Sequence, residues 1–118
     1  MVASIDAQNQ AAQILTEFGL DVGQLPNTGA PGGNPDITIN GQTADVFSPI
    51  TSSPGSVQST ITNKVNSQAS NIVINLANAP SSLTPTSIIQ FIQQNPVSGL
   101  NNLYIIDKTG SLFLFTAQ

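Results

Sequence analysis

The sequence contains no cysteine and no histidine. The first absence excludes disulfides, thiolate metal sites and a cysteine nucleophile. The second excludes imidazole acid–base chemistry and histidine-rich zinc sites. Any metal must therefore be held by oxygen, which suits the hard divalent cations. Charge is also scarce: charged residues are 7% of 118, against about a quarter in ordinary globular proteins. Lys64 and Lys108 are the only basic side chains, against six acidic ones. Wide nucleic-acid surfaces draw much of their affinity from Lys and Arg on phosphates, so that mode of binding has little to work with. No apolar run reaches about 18 residues and no signal-peptide pattern is present, so nothing marks a membrane span.

Asn, Gln, Ser and Thr take the place of charge on the surface, and apolar residues at 39% suffice for one core. A length of 118 residues fits one domain over 1–118. Residues 4–18 predict a helix whose buried stripe is Ala11, Ala12, Ile14, Leu15 and Phe18, stopped by Gly19. Residues 20–35, rich in Pro and Gly, predict a loop. Two short strands, 36–40 and 42–48, flank Asn40-Gly41, the strongest short hairpin signal. A second helix is expected over 55–68, with Val57, Ile61 and Val65 spaced by four. The apolar run 71–76 reads as a central strand. A third helix over 83–94 starts with Thr84 as N-cap and Pro85 at its first position. Strands 102–107 and 111–116 close a second hairpin around Lys108-Thr109-Gly110, with Asp107 and Lys108 solvated and Tyr104, Phe113 and Phe115 in the core. The expected class is α/β, a mixed sheet of about five strands with helices on its faces.

Chemistry concentrates in a few residues. A two-residue turn at Asn40-Gly41 pairs Ile39 with Gln42 and, by counting back, sets Asp36 against Asp45. Opposed carboxylates with Cβ atoms roughly 4.5–5.5 Å apart destabilise a sheet unless something offsets the repulsion. A divalent cation would do so; a solvated hairpin end would also tolerate the pair. On the second helix, Lys64 and Gln68 fall near Val57 and Ile61 in angle, at about 100° per residue. Lys64 either snorkels to solvent or points at the aspartate patch, where its charge would offset that of a phosphate transition state. Gln8 shares the stripe of Ala11 and Leu15, as a core-edge amide or a site contributor.

The stretches "QNQAAQILTEFGLDV", "GGNPDITINGQTADVFSP", "ITNKVNSQASNIVINL" and "NPVSGLNNLYIID" resemble the C-terminal tRNase domain of CdiA-type contact-dependent growth inhibition toxins. The resemblance spans roughly 5–116 and rests on the pattern NPD…D-x-[FY]-x-P…K. It implies a PD-(D/E)xK-like nuclease fold and a metal-dependent ribonuclease toxin domain that cuts tRNA. Asp36 and Asp45 would be the acidic ligands of a divalent cation, Mg or Mn, Lys64 the catalytic lysine, and Gln68 the glutamine that follows it. It further implies delivery from a secreted or cell-surface toxin into the cytoplasm of a target bacterium, and a cognate immunity protein as partner. The family's first-helix glutamate is here Gln8, which keeps the shape and one acceptor oxygen but loses the charge, so metal affinity and activity should weaken. A DNA-cleaving nuclease and a catalytically silent fold that binds only an immunity protein are the alternative expectations.

Overall fold

In the computed structural model, residues 2–24, 37–67 and 69–117 are described. Helix α1 (Val2–Glu17) leads into β1 (Val22–Gln24), β2 (Ile37–Ile39) and β3 (Gln42–Phe47). Helix α2 (Pro54–Ser67), β4 (Asn71–Asn75), a 3-10 turn (Leu76–Asn78), α3 (Pro85–Gln94), β5 (Asn102–Ile106) and β6 (Leu112–Thr116) follow. The strands form one sheet in chain order, β1 to β6. Pairs β3–β4 and β4–β5 are parallel, and the others are antiparallel. The mixed α/β class thus holds, with six strands among the described residues in place of about five. No helix among the described residues is long and apolar enough to cross a membrane.

The local signals act as their chemistry requires. Asn40 and Gly41 both adopt positive φ, 52° and 86°, the combination of a type I′ turn. That turn fixes the pairs Ile39↔Gln42, Thr38↔Thr43 and Ile37↔Ala44. At the end of α1, the amide of Leu20 donates to the carbonyl of Leu15 and that of Gly19 to Thr16. With Gly19 at φ +91°, this is a Schellman stop. Thr84 caps α3: its side chain accepts from the Ser87 amide while Ser87 Oγ accepts from the Thr84 amide, with Pro85 opening the helix.

The sheet is covered on both faces, and the strand period of two sorts its residues. Ala11 and Leu15 of α1 pack with Ile37, Ile39, Ala44, Val46, Val73, Tyr104 and Ile106. Val57 and Ile61 of α2 and Ile88 and Ile92 of α3 pack with Ile72, Ile74, Leu103 and Ile105 on the other face. Every residue of β4 is buried, as expected of a parallel strand between two helical layers.

Three expectations are corrected. Residues 22–24, expected in a loop, form β1 because Asp21 and Asn40 exchange backbone and side-chain hydrogen bonds that dock the segment on β2. A Cβ at Gly23 would lie 2.7 Å from Thr38 Oγ1, so any larger residue there would make the Thr38 side chain shift. Phe18, expected in the buried stripe, is 56% exposed, because the helix has already turned at Gly19 and Leu20 packs against that core instead. Phe113, expected in the core with Tyr104 and Phe115, is 40% exposed, because β6 is the outermost strand of the sheet.

Candidate active site

Asp45 lies in β3 between Ala44 and Val46, which face α1. The alternation of the strand turns Asp45, and Phe47 two residues on, toward α2. Phe47 is half-buried and packs on the apolar core of that face. Asp45 is 1% exposed, a buried carboxylate in register with Ile72 of β4. Burial of an isolated charge is costly, so a partner is required.

Helix α2 supplies it. Val57, Ile61 and Lys64 follow one stripe, and the first two are buried against the sheet. Lys64 Nζ donates to Asp45 Oδ2 at 2.6 Å. The same nitrogen lies 5.7 Å from the centroid of the Phe47 ring. The lysine side chain is 21% exposed, so the pair sits at the rim of the core with a route to solvent. A short charge-assisted bond of this kind is about twice as strong as a neutral one.

The other site expectations fall as follows. Asp36 and Gln68 lie outside the described residues, as does the Pro/Gly-rich stretch 25–35. The register of β2 and β3 is the one that the Asn40-Gly41 turn predicts, through its last described pair Ile37↔Ala44. Gln8 is half-buried on α1, the helix on the opposite face of the sheet from α2. Among the described residues, no hydrogen bond joins Gln8 to Asp45 or Lys64. An α1 amide that reaches the sheet is Gln10, whose Oε1 accepts from the buried Asn75 at 2.9 Å. Among the described residues no three carboxylates gather into a cluster that could hold a metal. The donor chemistry still suits a hard cation: Asp45 is a carboxylate, and the chain has no thiolate or imidazole to favour a softer ion.

Two features escaped the sequence reading. Phe47 was visible as the aromatic of D-x-F, and its spacing of two from Asp45 is the signal that places both on one face. Asn71, counted within an apolar strand, is buried and donates to the Thr43 carbonyl and to Gln42 Oε1. Asn102 donates to Asn71 Oδ1, and Thr116 donates to Asn102 Oδ1, so an amide row ties β3 to β6. An asparagine opening two paired parallel strands was the available clue.

A mixed sheet between helices, with a buried aspartate paired to a helical lysine, defines the class of domain. The family model described as the contact-dependent growth inhibition CdiA C-terminal domain matches residues 33–112. A curated relative from Burkholderia pseudomallei (strain 1026b), named tRNA nuclease CdiA-2, is 44% identical over 110 residues, which is 92% of this chain. The chain spans 3% of that relative's length. A solved CdiA-CT/CdiI toxin and immunity complex from Burkholderia pseudomallei contains a similar chain, 40% identical with a TM-score of 0.85. That match covers 98% of this chain and 86% of the other. The chain belongs to the CdiA C-terminal domain family.

Proposed function

We propose that this chain is a single nuclease-like toxin domain that cleaves tRNA with the help of a divalent cation. The observation that carries the reading is the buried Asp45 held at 2.6 Å by Lys64, in a chain 44% identical to a protein named tRNA nuclease. Asp36 and Asp45 would hold the cation, Mg or Mn, as oxygen ligands. Such an ion, when bound, polarises the scissile phosphate and lowers the pKa of bound water. Lys64 brings a positive charge fixed in advance, which offsets the charge that develops on the phosphate. Gln8, on the helix that covers the other face of the sheet, is a neutral amide where the family has a glutamate.

The biological setting follows from the family. The domain is delivered from a secreted or cell-surface toxin into the cytoplasm of a target bacterium, and a cognate immunity protein neutralises it. Similarity to the toxin chain of the toxin and immunity complex supports that partner. Gln8 and the net charge of −4 favour a second reading, a catalytically silent fold that only engages the immunity protein.

Incubation with total tRNA and with plasmid DNA, in Mg²⁺ or Mn²⁺, tests both. The proposal expects cut tRNA, intact plasmid and full inhibition by a chelator. Cut plasmid would make the chain a DNA nuclease. Intact tRNA in both metals, with tight immunity binding, would favour the silent fold; recovery of cleavage in Gln8→Glu would then trace the loss to that residue.

A further inference from the structure

We propose that Phe47 is a positioning residue for Lys64, its ring face holding the ammonium where it meets Asp45. The inference rests on the nuclease reading for its consequence and on geometry for its substance. Lys64 Nζ is 5.7 Å from the ring centroid, inside the roughly 6 Å range of cation–π attraction. It is also 2.6 Å from Asp45 Oδ2. Asp45 and Phe47 are i and i+2 on β3, so the strand presents carboxylate and ring side by side to one amine.

The carboxylate alone does not settle where the amine points. A lysine ammonium is a compact charge on four rotatable carbons, and one oxygen constrains its distance more than its direction. The ring supplies the second constraint. Phe47 is itself half-buried and packs on the core shared with α2 and α3. The ring also has a property that a second carboxylate would lack. It is uncharged, so it neither repels a phosphate nor competes with Asp45 for a hard cation. Where Asp45 shares its charge with such an ion, its pull on Lys64 weakens while that of the ring persists.

The test compares Phe47→Leu and Phe47→Met, which keep an apolar side chain, with Phe47→Tyr, which keeps the ring. Thermal unfolding selects the folded variants. The first readout needs no nuclease activity. The chain has two lysines, so their ε-methylene signals are two, assigned through Lys108→Arg. The parent and Phe47→Tyr should show the Lys64 signal shifted upfield by the ring current, relative to Lys108. Phe47→Leu and Phe47→Met should lose that shift. The second readout is tRNA cleavage. Both ringless variants should lower kcat by about two- to thirty-fold, the range a cation–π contact spans, with KM changed less than about twofold. Phe47→Tyr should stay within about twofold of the parent. No upfield shift in the parent overturns the proposal, as does a folded ringless variant whose kcat stays within about twofold of an active parent. A parent that shows the shift and leaves tRNA uncut sinks the nuclease reading and leaves the positioning contact standing.

Discussion

Replacing Lys64 by methionine should cost this protein more than a surface ion pair is worth. Exposed pairs contribute about 0–1 kcal/mol, whereas removing one partner of a buried pair costs about 3–5 kcal/mol, because a charge is left in low dielectric. Asp45 belongs to the buried class at 1% exposure, while the Lys64 side chain retains 21%. Solvent reaches the lysine side and screens part of the interaction. The expected loss for Lys64→Met is therefore about 2–3 kcal/mol, between the two regimes. Urea unfolding of the parent, Lys64→Met, Asp45→Asn and the double variant gives the coupling energy directly. Asp45→Asn removes the buried charge, so the double variant should lose less than the sum of the singles. The coupling should also survive 0.5 M salt, which screens exposed pairs far more than buried ones. A loss below about 0.5 kcal/mol for Lys64→Met, or a coupling near zero, would show that the pair behaves as a solvated one.

Acid should act through Asp107. Its Oδ1 accepts from the Thr109 hydroxyl at 2.7 Å and from the amides of Thr109 and Ser111 at 2.9 Å. The Thr109 hydroxyl above all, with the amides of Ser111, Thr109 and Gly110, holds its pKa below the ordinary carboxylate value, against the opposing effect of burial. A folded-state pKa below the unfolded one, about 3.9, stabilises the protein above that pH. The contribution is lost as pH falls through the folded value, so Asp107→Asn should flatten the stability profile below about pH 4 and leave its slope at neutral pH unchanged; identical acid limbs would refute this. RNA binding should depend weakly on salt. Two cations neutralise at most two phosphates, which limits the slope of log K against log salt to about −1.4 for a single strand. A slope of about −4 or steeper would mean that other charges carry the affinity.

The parts of the fold that sequence made legible are those set by local chemistry. Asn40-Gly41 dictated a turn and hence a register, and Thr84-Pro85 and Gly19 dictated where helices start and stop. The stripe of Val57 and Ile61 carried Lys64 toward the sheet because helical period is a property of the chain alone. What escaped depends on partners far along the chain. Val22–Gln24 has no strand period of its own and becomes β1 by docking on β2. Phe18 and Phe113 are apolar enough for a core, and only their places past the end of α1 and on the outermost strand expose them. Asn71 and Asn75 fall within the apolar run 71–76 with nothing local to mark their partners, yet both are buried and paired, Asn75 with a residue of α1. In the site, the strand period already put Asp45 and Phe47 on one face. That Lys64 meets both required α2 to pack on the sheet beside β3.

The most direct test of the account is tRNA cleavage by Asp45→Asn, in a preparation whose circular dichroism and unfolding midpoint show it folded. Asparagine keeps the shape and removes the charge on which the proposed cation binding and the Lys64 pair both depend. The account predicts a fall in cleavage of at least about a hundredfold under saturating Mg²⁺ or Mn²⁺, the scale of losing one electrostatic element of an active site. Cleavage within about twofold of an active parent would contradict it and remove Asp45 from the chemistry.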